Sequence, residues 1–184
     1  MVALVEKREA GGVVTLVMSR PDAMNALNRA LLDALWAEVE AVCVRRDVRA
    51  VILAGNERAF SAGADLKERA GMTPEQTRVF LRKIRGIMDL VERVPVPTLA
   101  AIEGVAFGGG LELALSCDIR VLGKQAKAGL TEVSLGIIPG AGGTQRLPRL
   151  IGAARAKELI FTARRLSADD AFAWGLCTHV VEAG

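Results

Sequence analysis

The alternation of short apolar runs with longer amphipathic segments most constrains how this chain can fold. Val13–Met18, Ala50–Ala54 and Thr98–Ile102 are five- or six-residue runs near glycine, proline or polar breakers, which is typical of buried strands. Residues 25–46 carry leucine and valine at spacings of three and four, which predicts a helix with one apolar face. Strands that alternate with helices predict an α/β fold.

Local signals predict further elements. Thr73 is a candidate N-cap because Pro74 and Gln76 follow it at the favoured positions, and this helix is expected to end near residue 94. Residues 119–122 are predicted as a strand, and residues 111–116, 153–161 and 167–174 as helices.

The composition supports one folded domain over residues 1–184. Apolar residues make up 51% of the chain, charged residues 24%, and the mean hydropathy is +0.31, which excludes an intrinsically disordered protein. The net charge at pH 7 is +3 without a run of five like charges, so a basic nucleic-acid-binding arm is not supported. The longest apolar stretches fall far short of the ~20 residues of a membrane span.

The three cysteines Cys43, Cys117 and Cys177 are odd in number, widely separated and set among apolar residues. This pattern predicts buried free thiols in a reducing compartment rather than a disulfide framework or a zinc site. The amino terminus has no basic start followed by a long apolar core, so no secretory signal is expected and the predicted location is the cytoplasm.

The chain contains two glycine-rich turns, and neither matches a nucleotide-binding motif. The run 108–110 does not complete G-x-G-x-x-G, and residues 140–144 lack the ending of a P-loop. An isolated glycine between a strand and a helix usually serves turn geometry, but three in succession also leave helix-start amides unblocked, as an oxyanion hole requires. The loop 60–66 is the expected source of a second donor.

Glu112 and Glu132 each interrupt an apolar, glycine-containing segment. Either glutamate could be a helix-start residue satisfied by backbone donors. Alternatively, burial would raise their pKa values toward neutrality and suit them to general acid–base catalysis. The spacing alone does not bring them together.

Four segments in this order and spacing resemble the enoyl-CoA hydratase/isomerase, or crotonase, superfamily. They are residues 60–67, 108–114, 117–120 and 138–147. Together with the helix start at 25–28, the likeness covers essentially the whole chain. Residues 64–70 and 156–161 are most similar to the subgroup of the AU-binding methylglutaconyl-CoA hydratase.

The resemblance implies a spiral of repeated ββα units and an enoyl-CoA hydratase activity. The amides of Ala64 and Gly109 would hold the thioester carbonyl. Glu112 and Glu132 would together activate a water for attack at Cβ and exchange the proton at Cα.

For binding, the resemblance implies that coenzyme A follows one segment and the oxyanion glycine. These residues are Ala62, Gly63, Ala64, Asp65, Leu66, Lys67 and Gly109, with Lys67 a candidate phosphate contact. No metal and no redox cofactor is implied, since coenzyme A is part of the substrate. The implied assembly of the complete form is a homotrimer or a dimer of trimers, in the mitochondrial matrix if the source is eukaryotic.

Family members continue past residues 175–180 into carboxy-terminal helices that complete the acyl pocket and contribute to trimer packing. These helices are largely absent from this sequence, so the 1–184 core is expected to be truncated at its carboxyl end.

Other functions remain open at this stage. The scaffold also supports isomerases, dehalogenases, decarboxylases and acyl-CoA hydrolases, although both glutamates favour a hydratase. A serine hydrolase would need His179 as the base for Ser61 or Ser116, but a structural role for that histidine is favoured. RNA binding is not expected because the first helix contains no lysine. The glutamate pair also argues against a non-catalytic interaction subunit.

Overall fold

The computed structural model describes residues 3–182, which contain ten strands and seven α-helices. The strands are β1 Val5–Ala10, β2 Val13–Met18, β3 Ala50–Ala54, β4 Ala59–Ser61, β5 Thr98–Ile102, β6 Val105–Phe107, β7 Ile119–Gly123, β8 Lys127–Gly129, β9 Leu166–Ser167 and β10 His179–Val181. The α-helices are α1 Arg29–Cys43, α2 Leu66–Ala70, α3 Pro74–Glu92, α4 Gly109–Leu115, α5 Gly143–Ile151, α6 Ala153–Thr162 and α7 Ala168–Trp174.

The strands form two sheets. The larger has the order β1-β2-β3-β5-β7-β10, and every neighbouring pair is parallel except the β1–β2 hairpin. The smaller has the order β4-β6-β8-β9, with an antiparallel pair only between β8 and β9. Each of the pairs β3/β4, β5/β6 and β7/β8 adds one strand to each sheet before a helix follows, so the predicted spiral of ββα units is confirmed.

Most of the longer predicted elements are confirmed. Strands β2, β3 and β5 have the predicted bounds, and Thr73 and Gln76 form the predicted capping box at the start of α3. The first helix is shorter than predicted, because Asn28 caps it by accepting a hydrogen bond from the Leu31 amide. The three residues before Asn28 serve the functional site instead.

The shortest elements were missed. Strands β4, β6 and β8 have three residues each, too few to show alternation in the sequence. Helix α5 was missed because it follows a glycine-rich turn and contains Pro148. The hairpin strand β1 has one buried residue, so it offers no apolar run.

The remaining side-chain predictions have mixed outcomes. All three cysteines are free thiols, with Cys117 and Cys177 buried and Cys43 half-buried. His179 lies exposed on β10, so the expectation of a satisfied structural histidine within an apolar strand is wrong: β10 is the edge strand of its sheet. Within residues 3–182, no helix combines the length and apolar character needed to cross a membrane.

Candidate active site

A cleft of about 480 Å³ opens beside the smaller sheet. Its lining comes from the loop after β4, helices α2 and α3, the start of α4, and the segment between β8 and α5. Because these elements belong to successive ββα units, the spiral brings distant segments of the sequence to one place.

The main-chain amides of Ala64 and Gly109 lie at the N-terminal end of helix α4. A methyl group built on Gly109 would lie 3.6 Å from the Ala64 nitrogen, so the two residues approach closely. Gly109 is the first residue of α4, where the helix supplies no acceptor for its amide, and the Ala64 amide donates to no group within residues 3–182. The pair can therefore donate two hydrogen bonds to one oxygen in the cleft.

The loop that carries Ala64 is held by the residues before α1. The Leu27 amide donates to the Gly63 carbonyl at 2.8 Å, and the Leu27 carbonyl accepts from the Asp65 amide at 3.1 Å. The buried Asn25 side chain donates to the Ala59 carbonyl at 2.8 Å. These bonds fix the Ala64 amide from both sides of the loop.

Gly110 explains why the glycine run is longer than an amide donor requires. A Cβ atom on this residue would lie 2.2 Å from the Ser61 carbonyl oxygen. Any larger residue would separate α4 from β4, and with it Gly109 from Ala64. The run therefore supports the approach of the two amides as well as leaving them unblocked.

Glu112 lies in the first turn of α4, with 2% of its surface exposed. Its Oε1 atom accepts hydrogen bonds from the amides of Ala141 at 2.7 Å and Gly143 at 2.8 Å. Burial raises the pKa of Glu112, whereas the two amide bonds act in the opposite direction. Backbone amides do satisfy one oxygen of this glutamate, but they belong to the turn that leads into α5 and not to the start of α4. They leave the other oxygen, Oε2, available to react.

Glu132 begins a short 3-10 turn, 132–135, and faces the same cleft. Its Oε2 atom is buried and has no hydrogen-bond partner within residues 3–182. Burial, and then the nearby charge of Glu112, raise its pKa to about 7. A methyl group built on Gly108 would lie 3.1 Å from Oε1, so Glu132 lies against the residue before the Gly109 donor.

Both predicted glutamates and both predicted amides thus meet in one cleft. The other residues that line it from the predicted coenzyme A segment are Ala62, Gly63 and Leu66. The Asp65 carboxylate instead caps α2 and pairs with Arg20 at 3.1 Å, and Lys67 is exposed on α2 outside the cleft lining.

Sequence reasoning missed two cations of the cleft. Arg69 on α2 and Arg85 on α3 both line it, and neither forms an ion pair with another residue in the range 3–182. Each belongs to a charged helical segment, so the sequence holds no signal that separates them from solvent-facing arginines. Arg85 also donates a hydrogen bond from Nε to the Gly140 carbonyl.

The serine hydrolase alternative lacks a nucleophile–base pair. Ser61 is buried and donates to the Asn25 carbonyl, and Ser116 donates to the Leu113 carbonyl. Neither hydroxyl contacts His179. The residues 3–182 also contain no cluster of three or more side chains suited to hold a metal ion.

The sequence profile of the enoyl-CoA hydratase/isomerase family matches residues 8–183. The mitochondrial methylglutaconyl-CoA hydratase of Mus musculus is 50% identical over 177 residues, which are 96% of this chain and 56% of that protein. An enoyl-CoA isomerase/hydratase, fer4, of Mycosarcoma maydis is 50% identical over 181 residues, covering 94% of this chain and 66% of that protein. The chain therefore spans little more than half the length of the mouse relative.

Among solved structures, the enoyl-CoA hydratase from Bacillus anthracis superposes with a TM-score of 0.95 at 50% identity. The match covers 97% of this chain and 70% of that one. An enoyl-CoA hydratase from Thermoplasma volcanium gives a TM-score of 0.94 at 36% identity, with coverage of 99% and 73%.

Proposed function

This chain belongs to the enoyl-CoA hydratase/isomerase family, and from that premise we propose that it adds water reversibly to the α,β double bond of an enoyl-CoA thioester. One observation carries the proposal: two buried glutamates in different environments face one cleft beside two free amides. Water addition needs one group to take a proton from water and another to supply a proton to Cα, and the pair offers both.

The contrast in environment assigns the roles. Glu112, with two amide donors, is the base that takes a proton from water while the water oxygen bonds to Cβ. The π electrons move through Cα toward the thioester oxygen, where the Ala64 and Gly109 amides stabilise the enolate. Glu132, whose pKa is about 7, gives its proton to Cα as the enolate collapses. Transfer of one proton from Glu112 back to Glu132 completes the cycle.

The substrate is proposed to enter along the loop after β4. Ala62, Gly63 and Leu66 line the cleft there and support a path for coenzyme A, with the exposed Lys67 beside it as a phosphate contact. Coenzyme A enters as part of the substrate, and the proposed steps use only two carboxyls and two amides.

The cations of the cleft favour an acyl group that carries a carboxylate. Arg69 and Arg85 form no ion pair within the described range, and the mouse relative is named for methylglutaconyl-CoA. With that substrate the enzyme would act in branched-chain amino acid degradation, and with straight-chain enoyl-CoA in fatty acid metabolism. We expect Arg69→Met to lower kcat/KM about tenfold or more for methylglutaconyl-CoA and little for crotonyl-CoA, because a charged hydrogen bond is lost.

Assembly and location follow the same premise. The complete protein is proposed to form a homotrimer or a dimer of trimers, in the cytoplasm, or in the mitochondrial matrix if eukaryotic, as the mouse relative's name indicates for that protein. RNA binding is not proposed, since the first helix carries no lysine.

The decisive experiment is hydration of an enoyl-CoA panel by the complete protein and by its Glu112→Gln and Glu132→Gln variants. Both variants should bind coenzyme A ligands normally and lose hydration. A wild type that shifts double bonds without adding water would overturn the proposal in favour of an isomerase, and a variant with near-wild-type hydration would overturn the two-glutamate mechanism.

A further inference from the structure

A single guanidinium ties together three elements next to the cleft. Arg146, on α5, donates from Nη2 to Asp89 at 3.0 Å and to Glu92 at 2.6 Å, both on α3. Its Nη1 donates to the Ala141 carbonyl at 3.1 Å, in the turn that precedes α5. The Arg146 side chain is only 14% exposed, which is low for a residue bonded to two surface carboxylates. These three side chains are called the Arg146 clamp.

The turn held by the Arg146 clamp is the turn that serves Glu112. The Ala141 amide donates to Glu112 Oε1, while the Ala141 carbonyl accepts from Arg146. The same residue is therefore fixed on its two sides, by the reacting carboxylate and by the guanidinium. Gly143, the other donor to Glu112, lies two residues further on.

The glycine between these donors shows how tightly the guanidinium packs on the turn. Gly142 has a φ of +106°, and a Cβ atom there would lie 2.0 Å from Arg146 Nη1. A side chain at this position would meet both a strained backbone and the guanidinium. The sequence Gly142–Gly143 thus leaves space for the Arg146 clamp on one side of the turn and for Glu112 on the other.

Arg146 does not touch the substrate cleft. It lines a neighbouring cavity of about 350 Å³, which shares Arg85 and residues 138–141 with the cleft but is not lined by Glu112 or Glu132. Arg146 can therefore act on the reaction through the turn, or through its charge, which lowers the Glu112 pKa, but not through contact with a substrate in the cleft.

We propose that Arg146 is a positioning residue, which holds the amides of Ala141 and Gly143 in place and thereby fixes the orientation of the Glu112 carboxylate. This inference rests on the proposed function for its consequence in catalysis, but not for its structural content. Three charged groups lie near the Glu112 carboxylate: Glu132 on the 3-10 turn, Arg85 on α3 and Arg146 itself. A test must separate loss of position from loss of charge.

Two sets of variants make that separation. Arg146→Lys keeps the positive charge and loses the planar fork that reaches the turn and α3 together. The double variant Asp89→Asn with Glu92→Gln leaves Arg146 in place but removes the charges that orient it. Arg149→Lys is the matched control, because Arg149 lies on the same helix and, among residues 3–182, its side chain donates only to the Gln145 carbonyl of that helix.

The first measurement is the titration of Glu112 by carbon-13 NMR of labelled glutamate carboxyls, assigned with Glu112→Gln. Positioning predicts that the Glu112 pKa rises by about half a unit or more in both the Lys variant and the double variant, because the amide donors weaken. A pure charge effect predicts the opposite sign in the double variant, since removal of two negative charges favours the ionised carboxylate. The Arg149 control should match the wild type.

The second measurement is hydration kinetics of the full chain with an enoyl-CoA. We expect kcat to fall about ten- to a hundredfold in the Lys variant, while KM changes less than about threefold. An unchanged Glu112 titration in the double variant would overturn the inference, including when Arg146→Lys fails to fold. If the wild type hydrates no enoyl-CoA, the proposed function fails, whereas the titration still decides the role of Arg146.

Discussion

Glu112 and Glu132 face one cleft from two regions that differ in the hydrogen-bond donors they offer to a carboxylate. The region around Glu112 combines a helix start with a turn that supplies two amide donors at 2.7 and 2.8 Å. The region around Glu132 is a short 3-10 turn that leaves one carboxylate oxygen buried, with no hydrogen-bond partner in the described part of the chain. Two side chains of the same type therefore hold protons with different affinities, because hydrogen bonding favours the ionised form and burial alone favours the neutral form.

Removing both carboxyls gives the largest expected effect. Each single Glu→Gln change should lower kcat for hydration about 10²- to 10⁴-fold, since each removes one proton transfer. If the two glutamates act together in one reaction, kcat of the double variant should be only slightly lower than kcat of the less active single variant. Steady-state kinetics of the three variants measure this, and multiplicative losses would show that the two glutamates act independently.

Substitution of Gly109 in the amide pair should lower kcat almost as strongly, without unfolding the protein. Gly109→Ala introduces a methyl group 3.5 Å from Leu27 Cδ1 and 3.6 Å from the Ala64 nitrogen, which is ordinary packing distance but brings the methyl group next to the second donor. We expect kcat to fall about 10²- to 10³-fold, as when an oxyanion donor is lost. The melting temperature should stay within a few degrees of wild type, and a large drop would mean that Gly109 serves packing instead.

The pH dependence tests the contrast between the two glutamates directly. The Glu132 pKa of about 7 predicts that kcat/KM for hydration falls about tenfold per unit as the pH rises above that value, because the proton donor is lost. The limb should be absent from the residual activity of Glu132→Gln. A profile that is flat from pH 6 to 9 would contradict the assignment of Glu132 as the acid.

Stability gives the smallest effect, and its size distinguishes the two regions. Because the pKa of Glu132 is higher in the folded protein than its ordinary value of 4.5, the folded state holds more protons between those values and loses stability as the pH rises through about 7. At pH 8, Glu132→Gln should therefore be more stable than wild type by up to about 3 kcal/mol.

Chemical denaturation at pH 4 and pH 8 measures this difference, which should vanish at the lower pH. Glu112→Gln is the comparison, because burial raises the Glu112 pKa as well but the two amide donors oppose that rise, so its gain at pH 8 should be smaller. An equal gain at both positions would remove the contrast.

Much of the fold could be predicted because its longer elements carry their own patterns. Each of the strands β2, β3 and β5 coincides with an apolar run near glycine, proline or polar residues. Helix α3 begins at a complete capping box. The three-residue strands of the smaller sheet could not be found this way. They exist because neighbouring strands supply their partners, and the sequence of β4, β6 or β8 alone holds no periodicity.

The candidate site divides in the same manner. The resemblance of the glycine and glutamate motifs located Ala64, Gly109, Glu112 and Glu132, and the structure brings these four together. The resemblance gave no reason to choose Arg69 or Arg85 over other helical arginines, because the local sequence does not show which arginine faces a cleft. The role of Asn25 in holding the Ala64 loop likewise depends on a contact with a residue 34 positions away.

The sequence by itself determined the fold class and the longer elements, because periodicity and capping are local properties, and the resemblance of its motifs singled out the candidate acid–base groups. Only the tertiary structure decided that two amides from another turn donate to Glu112 Oε1, whereas Glu132 Oε2 is buried with no hydrogen-bond partner among residues 3–182. That difference arises where separate ββα units meet. The proton affinity of a carboxyl depends on burial and on the donors within hydrogen-bonding distance, and both are set by residues far away in the chain.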